Sequence, residues 1–335
     1  MKDVAKLAGV SLKTVSRVIN DEPSVNKAMR AKVRAAAAEL NYQPNYGASA
    51  LRRNDGRSQQ IALLLEDLSN PFSSAIYRAV EEVAMTYGFT VLGGSLEEDP
   101  ARERTLVAAM VRHRVDGFIL ASASHDQSHL VNEQEAGVPL VFVDRQPVGI
   151  QADYVMSDSR QGAYSAVAHL AQHGHTHIAY LGDLESIVTA QDRFAGYLDA
   201  VADFGLCFNE AHVLKGLRTT EAAQERVLQL LQSTSAPTAL FTGQNLITMG
   251  AVRAIRALGL QKKIAVVGFD DFVLADMLEP AVTVVAQDPA AIGVEAAKLM
   301  FARLSGSDAP YEAVEIPSTL IVRGSGEIRA KSRTK

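Results

Sequence analysis

Polar and charged side chains recur in this sequence just after short apolar runs. The positions are Asn70, Phe72, Asp144, Arg145, Gln244, Asp270 and Gln287, together with Arg193 inside the segment AQDRFAGY. They combine carboxylates, guanidiniums and amides with one aromatic ring. Paired donors and acceptors hold the adjacent hydroxyl groups of a sugar, and a flat apolar surface packs on the C–H face of its ring. The set predicts a binding site for a polyhydroxylated small molecule.

The segments between these positions alternate short β-branched or leucine-rich runs with amphipathic helical stretches. IALLLE, PLVFVD and IAVVGFD are examples of the apolar runs. This rhythm predicts βα units on parallel sheets that are covered on both faces, an α/β fold. It restarts after DYVMSD, which indicates two lobes with a cleft between them. Ligands bind beyond the carboxyl ends of strands in such sheets. Asp144 or Arg145 taken alone is better explained by a surface ion pair than by ligand binding, whereas the recurrence of such residues at six strand ends favours a site.

Charge is distributed unevenly along the 335 residues. Residues 1–57 contain 11 Lys and Arg against 5 acidic residues, a net charge of +6, whereas the remainder contains 22 against 33, a net charge of −11. An asymmetry of this size suggests that the first segment binds a polyanion. From charge alone, a solvated charged helical face is an equally good explanation.

The first twenty residues have the pattern of two helices joined by a tight turn. Val4, Ala5 and Ala8 fall at helical spacing, Gly9 can take the positive φ of a sharp turn, and Ser11 can cap a second helix. A third helix capped by Asn26 should bury Val33, Ala36, Ala37 and Leu40. These features together predict a helix-turn-helix.

The second of these helices is expected to enter a DNA major groove. Arg17 can contact guanine in a bidentate manner, Leu12 can contact a thymine methyl group, and Lys13 can bind guanine or phosphate. The predicted DNA-binding residues of this segment are Leu12, Lys13, Thr14, Ser16, Arg17 and Asn20. A helical hairpin with ordinary surface charges is the alternative.

The motifs DVAKLAGVSLKTVSRVIN and AAAELNYQPN, followed by Ala48 and Leu51, resemble the lac-repressor/purine-repressor (LacI/GalR) family of bacterial transcription regulators. The resemblance implies a DNA-binding headpiece over 1–44 and a hinge helix and linker over 45–58. It further implies that Asn45, Ala48 and Leu51 contact DNA, with Leu51 wedged into a base step of the minor groove. Two positions depart from the pattern, since Tyr46 replaces a common Arg and Gly47 replaces a better helix former.

The resemblance continues through NPF, DR, DRFAGY, GFDD and TVVAQDP, which are similar to segments of sugar-binding relatives and of ribose-type periplasmic binding proteins. It implies an effector-binding role for the strand-end residues and favours a pentose or hexose, with a ribose-like sugar as the best match. The segment TGQNLITMG departs from the family pattern. Gln244 is expected to supply the amide there, and Asn245 replaces a carboxylate.

The expected periplasmic-binding-protein-like core covers 59–335 and serves effector binding and dimerisation. Its N-lobe is predicted over about 59–157 plus 288–318, and its C-lobe over about 158–287 plus 319–328. No tetramerising heptad follows Arg323. In relatives a few residues cap the first helix and contact phosphate, so such residues are expected to precede Met1.

Other classes of protein fit the sequence less well. No Walker A loop, dinucleotide-binding glycine motif, nucleophile elbow or HExxH motif is present, so an enzyme is not predicted. His169, His173, His175 and His177 lie close together, but no cysteine or acidic residue stands near them in sequence, so no metal or other cofactor is predicted. A periplasmic receptor would fit the lobes but not the basic segment.

The sequence therefore predicts a sequence-specific DNA-binding repressor that is controlled by a sugar in the cleft. A homodimer reading a palindromic operator is expected. The single Cys207 excludes an internal disulfide, and neither a signal peptide nor a membrane span is recognised, which favours the cytoplasm. A purine- or nucleoside-responsive repressor and a sugar-binding protein without DNA function are the alternatives.

Overall fold

The computed structural model describes residues 1–19, 22, 24–42 and 57–330. The chain divides into two compact units, Met1–Gln59 and Gln60–Lys335. Four predicted DNA-binding residues lie outside the described residues, as does most of the predicted hinge segment: Asn20, Asn45, Ala48 and Leu51.

The first unit is a small helical domain. Its described helices are α1 (Lys2–Ala8), α2 (Leu12–Ile19) and α3 (Lys27–Glu39). They share a core of small and β-branched side chains, namely Val4, Ala5, Ala8, Val15, Val18, Val33 and Ala36. This arrangement confirms the predicted helix-turn-helix. Leu40 was expected in the core but is 43% exposed, because α3 ends one residue before it.

Local sequence explains the bounds of these helices. Gly9 ends α1 in the left-handed region at φ 61°, a conformation that glycine adopts without steric cost. The hydroxyl of Ser11 accepts a hydrogen bond from the Thr14 amide at 3.1 Å, and Asn26 Oδ1 accepts one from the Met29 amide at 2.8 Å. Both are N-cap bonds that satisfy free amides at the start of a helix.

The second unit alternates strands with helices. Its helices are α4 (Pro71–Thr86), α5 (Pro100–Arg112), α6 (Val131–Glu135), α7 (Ser159–Gln172), α8 (Val188–Asp203), α9 (Thr220–Leu231), α10 (Asn245–Ala257) and α11 (Pro289–Leu304). Its strands are β1 (Gln60–Leu65), β2 (Thr90–Ser95), β3 (Phe118–Leu120), β4 (Leu140–Val143), β5 (Asp153–Ser157), β6 (Ile178–Leu181), β7 (Val213–Leu214), β8 (Ala239–Thr242), β9 (Ala265–Phe269), β10 (Thr283–Ala286), β11 (Ala313–Ile316) and β12 (Thr319–Ile321). Short 3-10 turns lie at Ser128–Leu130 and Glu210–His212.

The strands form two six-stranded sheets, one in each lobe. The first has the order β11-β5-β4-β3-β1-β2 and is parallel throughout. The second has the order β12-β10-β9-β8-β6-β7, and only its edge strand β12 is antiparallel to its neighbour. Apolar clusters cover both faces of each sheet, as the near-continuous apolar strands predict.

The run AVEIPSTLIVR contributes to both sheets. Its first half is β11 in the first sheet, and after Pro317 and Ser318 its second half is β12 in the second sheet. Each sheet is therefore assembled from separate stretches of chain. Among the described residues, no helix has the length and apolar character needed to cross a bilayer.

Candidate functional sites

Helix α2 separates an apolar face from a polar one. Val15 and Val18 are buried against the other helices, while Leu12 is 46% exposed and Lys13 is also exposed. Thr14 and Ser16 are half-buried. The predicted DNA-binding residues of α2 therefore lie outside the headpiece core. Their individual contacts with DNA remain predictions.

Arg17 is partly exposed and has a partner within the headpiece. Its Nε lies 3.4 Å from Glu22 Oε2, and the side chain is 42% exposed. An exposed pair of this kind contributes about 1 kcal/mol or less. Arg17 can therefore leave Glu22 for a guanine edge at small cost.

The eight predicted effector-binding residues lie around one cavity in the second unit. It is lined by Asn70, Phe72, Asp144, Arg145, Arg193, Gln244, Asp270 and Gln287, and also by Glu66, Asp183, Ile187, Thr189 and Ala190. The last five were missed by the sequence argument. The rule of strand ends could have found two of them, because Glu66 directly follows β1 and Asp183 follows β6 after one glycine.

Two aspartates at strand ends take the same unusual backbone conformation. Asp144 follows β4 with φ 64°, and Asp270 follows β9 with φ 66°. Each amide donates a hydrogen bond to the adjacent strand, Asp144 to the Val155 carbonyl at 2.9 Å and Asp270 to the Val285 carbonyl at 2.8 Å. Left-handed non-glycine residues are uncommon and cluster at binding sites. The two aspartates are therefore matched positions in the two lobes.

Arg145 is held in a buried ion pair. Its Nη1 donates to Glu98 Oε2 at 2.8 Å and to the Ser122 carbonyl at 2.7 Å, while Nη2 contacts the other Glu98 oxygen. Burial lowers the pKa of Arg145, but the hydrogen bond and charge of Glu98 outweigh this effect and leave that pKa raised. Arg145 is therefore permanently charged, and Glu98 neutralises it.

Arg193 is held more loosely than Arg145. Its Nη1 donates to the Gly243 carbonyl at 2.8 Å, and its guanidinium lies 4.0 Å from the centre of the Phe269 ring. The nearest carboxylate oxygen, on Asp270, is 3.9 Å from Nη1. Burial raises the pKa of Asp270, although Arg193 and a 2.6 Å hydrogen bond from Gln287 Nε2 oppose this.

Gln244 lines the cavity, but its amide is already engaged within the protein. Nε2 donates to Asp183 Oδ2 at 2.9 Å, and Oε1 caps α10 by accepting from the Leu246 amide at 2.8 Å. The neighbouring Asn245 connects the two lobes, since its Nδ2 donates to Asn70 Oδ1 at 3.0 Å. The two asparagine side chains therefore form a hydrogen bond between the two lobes.

Several buried polar atoms around the cleft have no hydrogen-bond partner among the described residues. They are Arg145 Nε, Asn245 Oδ1 and Gln287 Oε1. Leaving a buried polar atom unsatisfied costs about 1–3 kcal/mol. A polar molecule that supplied partners to these atoms would therefore gain affinity.

Carboxylates outnumber guanidiniums around the cavity. Glu66, Asp144, Asp183 and Asp270 face two arginines, one of which is neutralised by Glu98. Burial raises the pKa of Glu66 to about 7, and the negative charges of Glu98 and Asp183 act in the same direction. Even with Glu66 partly protonated near pH 7, carboxylates exceed guanidiniums around the cavity.

The fold and the cleft together define a class of protein. A helix-turn-helix headpiece is followed by two α/β lobes that enclose a polar cavity at the carboxyl ends of their strands. This combination is that of a transcription regulator with a small-molecule site.

Comparisons with known proteins agree with this class. The family model "Bacterial regulatory proteins, lacI family" matches residues 1–45, and "Periplasmic binding proteins and sugar binding domain of LacI family" matches residues 58–323. The transcriptional repressor PurR of Aliivibrio fischeri (strain MJ11) is 31% identical, with 97% of each chain covered. The ribose operon repressor of Escherichia coli (strain K12) is 32% identical, with 97% of this chain and 99% of the relative covered.

A solved structure of the lac repressor dimer, bound to operator and the anti-inducer ONPF, is also similar. It shares 28% identity and a TM-score of 0.85, with 97% of this chain and 98% of that chain covered. The chain belongs to the LacI family of bacterial regulatory proteins. The predicted family, its fold class and its function as a DNA-binding transcription regulator are confirmed.

Proposed function

We propose that the chain represses transcription as a homodimer on a palindromic operator and that an uncharged sugar in the cleft controls its affinity for DNA. The single observation that carries the proposal is the cavity lined by all eight predicted effector-binding residues.

The chemistry of the cavity favours a sugar. Its carboxylates accept hydrogen bonds from hydroxyl groups, and Arg193 can donate in return. Phe72 provides an apolar face for one side of a sugar ring. A ribose-like pentose is the best candidate, supported by the ribose operon repressor among the relatives.

The charge of the cavity favours an uncharged ligand. Four lining carboxylates face two guanidiniums, and Glu98 already neutralises Arg145. A phosphorylated sugar or a sugar acid would add negative charge near the lining carboxylates, which is unfavourable in a partly desolvated site. The charged form of the same sugar should therefore bind much more weakly.

A purine effector is the second candidate, because the similar relatives include purine repressors. Among the described residues that line the cavity, Phe72 is the only aromatic one. A purine base gains much of its affinity from stacking on aromatic faces. The cavity therefore suits a polyhydroxylated ring better than a planar base.

An exposed apolar patch in the second lobe supports self-association. Val273 is 73% exposed, Leu274 is 56% exposed and Met277 is 76% exposed, all within one loop after β9. Clustered apolar side chains on a surface mark protein interfaces. A symmetric dimer would bury this patch and place two headpieces for a palindromic operator.

Contacts between the lobes offer a route from the cleft to the DNA. Asn245 donates to Asn70, and Arg218 Nη2 donates to the Glu97 carbonyl at 3.2 Å. A sugar bound between the lobes would stabilise one angle between them over another. A coupling of about 1–3 kcal/mol would change operator affinity roughly 5- to 150-fold.

A ligand screen tests the effector class. Thermal unfolding of the full chain is followed with pentoses, hexoses, polyols, purines and nucleosides, and with the 5-phosphate of each pentose that binds. We expect an uncharged sugar to raise the unfolding temperature and its phosphate to have no effect at the same concentration. Stabilisation by purines alone would contradict the proposal.

DNA recognition is tested on duplexes selected from a random library by the full chain. We expect the selected sites to be palindromic. Arg17→Ala should weaken binding to a selected site by about 1–3 kcal/mol and leave binding to unrelated DNA nearly unchanged. Arg78→Ala is the matched control, because it removes a charge that is 80% exposed in the second unit. An equal loss on all DNA would show that Arg17 contacts phosphate only.

A further inference from the structure

Two imidazoles and a carboxylate meet outside the cleft, at the end of α7. His169 lies on α7, His173 caps its C-terminus, and Glu327 comes from the segment after β12. His169 Nε2 is 2.7 Å from Glu327 Oε1, and His173 Nε2 is 3.3 Å from Glu327 Oε2. All three potential ligand atoms lie within 4.8 Å of one another. Glu327 is more than 150 residues beyond these histidines along the chain, so the local sequence does not reveal it as their acidic partner.

The backbone selects one tautomer of His173. Its Nδ1 lies 2.8 Å from the His169 carbonyl oxygen, which can only accept a hydrogen bond. Nδ1 therefore carries the hydrogen, and Nε2 of the neutral ring presents its lone pair. That lone pair faces a carboxylate oxygen, which also has only lone pairs to offer. A cation between the two atoms would turn this repulsion into attraction.

His169 is also prepared to act as a ligand. Its Nε2 is buried and makes no hydrogen bond of acceptable geometry among the described residues, despite its short distance to Glu327. An imidazole nitrogen with a lone pair beside a second imidazole and a carboxylate is a common metal-binding arrangement.

We propose that His169, His173 and Glu327 bind a divalent transition-metal ion, with Zn²⁺ as the best match. Two imidazole nitrogens and one carboxylate oxygen form a donor set typical of Zn²⁺ sites with three protein ligands. The harder ions Mg²⁺ and Ca²⁺ prefer oxygen ligands alone. The Glu327 side chain is 40% exposed, which leaves room for water as a fourth ligand.

The ion would fasten the C-terminal segment to α7. This segment already contacts the same region, because the Ile328 carbonyl accepts from His175 Nε2 at 2.7 Å and the Ala330 amide donates to the His173 carbonyl at 3.2 Å. Gly326 packs closely there, since a Cβ atom at this position would lie 3.1 Å from the His169 ring. The metal would therefore stabilise the second lobe at a site that shares no residue with the cleft.

The test uses the full chain without a histidine tag, after treatment with a chelator. Zn²⁺ is titrated calorimetrically into the wild type, His173→Ala, Glu327→Gln and the control His113→Ala, which removes an exposed histidine elsewhere. We expect one ion per chain, with affinity at least about tenfold lower in the first two variants and unchanged in the control.

Thermal unfolding provides a second measurement that does not depend on heats of binding. Zn²⁺ should raise the unfolding temperature of the wild type and of His113→Ala but not of Glu327→Gln, because a ligand that binds only the folded state stabilises it. Circular dichroism in chelator verifies that each variant is folded. Wild-type protein without a Zn²⁺ site, or variants that bind Zn²⁺ as tightly as the wild type, would overturn the proposal.

Discussion

Each lobe forms one wall of the cleft, and the first and second lobes are called the first and second wall. The two walls share a backbone arrangement but hold their arginines differently. Asp144 in the first lobe and Asp270 in the second both end a strand with positive φ and donate an amide hydrogen bond to the next strand. Beside them, Arg145 is fixed by both oxygens of Glu98, whereas Arg193 has no carboxylate oxygen nearer than 3.9 Å.

This difference predicts different roles for the two arginines. The charge of Arg145 is neutralised within the first lobe, so this side chain mainly fixes the shape of its wall. The guanidinium of Arg193 stacks on Phe269, and it donates from Nη1 to the Gly243 carbonyl and from Nε to Ser159 Oγ at 3.3 Å. Its remaining N–H groups are donors for a ligand. The first wall is thus preformed, and the second should provide the stronger interaction with the effector.

The largest expected effect is the loss of the buried pair in the first lobe. Arg145→Ala leaves Glu98 buried without its partner, which should lower the free energy of unfolding by about 3–5 kcal/mol. Urea unfolding measures this change.

The double variant Arg145→Met with Glu98→Gln is its control. It removes both charges and should recover much of the lost stability. A single Arg145→Ala variant as stable as the wild type would show that Arg145 is not structural and would remove the contrast between the walls.

The second lobe should show its effect in effector binding. Arg193→Ala removes donors from the ligand side of the cleft, so affinity for the effector found in the screen should fall by about 1.5–3 kcal/mol, or about 10- to 150-fold. Calorimetric titration measures it.

Arg160→Ala is the matched control for Arg193→Ala. Arg160 belongs to the same lobe and is 63% exposed in a pair with Asp199. Its removal should leave effector affinity unchanged. Arg145→Ala could instead lower effector affinity more than Arg193→Ala while the protein stays folded. In that case Arg145, and not Arg193, would provide the stronger interaction with the effector.

Glu66 makes the stability of the folded protein depend on pH. Its pKa is about 7 in the folded protein, against an ordinary value of 4.5, mainly because the carboxyl is buried. Below the lower value the group is protonated in both states and has no effect. Between the two values the folded state binds more protons than the unfolded state, so the free energy of unfolding falls as pH rises. Above about pH 7 this destabilisation is complete and no longer changes with pH.

Glu66→Gln should remove this dependence. Relative to the wild type, the variant should gain about 1–3 kcal/mol of stability between pH 4.5 and pH 8, measured by urea unfolding at each pH. Glu135, an exposed carboxyl in the same lobe, supplies the control variant Glu135→Gln. A constant difference between Glu66→Gln and the wild type at all pH values would show that Glu66 titrates normally.

The ends of the strands could be predicted well from the sequence because short apolar runs mark the strands. The apolar runs locate β4 and β9, so Asp144 and Asp270 follow directly, and the same rule applied to β1 would have added Glu66. The positive φ of the two aspartates could not be predicted, because it depends on hydrogen bonds to β5 and β10 that form only in the assembled sheets.

Side-chain partners were harder to predict than positions. Gln244 lines the cavity, but its amide caps α10 and contacts Asp183, which sequence spacing does not reveal. Glu98 and Glu327 meet Arg145 and His169 through folding of distant segments. A residue type can indicate chemistry, whereas competition among nearby partners decides which atoms remain available.

The smallest expected effect concerns the helix caps of the two lobes. Asp99 caps α5 by accepting from the Ala101 amide at 2.8 Å, and Thr219 caps α9 by accepting from the Ala222 amide at 3.1 Å. Replacing either residue by alanine should cost about 1 kcal/mol, because a free amide at the helix start loses its acceptor. Asp99→Ala should cost more, since its carboxylate also interacts favourably with the helix dipole.

Urea unfolding at two salt concentrations separates the hydrogen bond of each cap from the interaction of a carboxylate with the helix dipole. The excess loss in Asp99→Ala should shrink at high salt, because the dipole interaction is screened, whereas the loss in Thr219→Ala should not change. Neither variant should alter effector affinity, since neither residue lines the cavity. If Asp99→Ala did weaken the effector, the start of α5 would influence the cleft through the adjacent Glu98, and the first wall would be less rigid than its buried ion pair indicates.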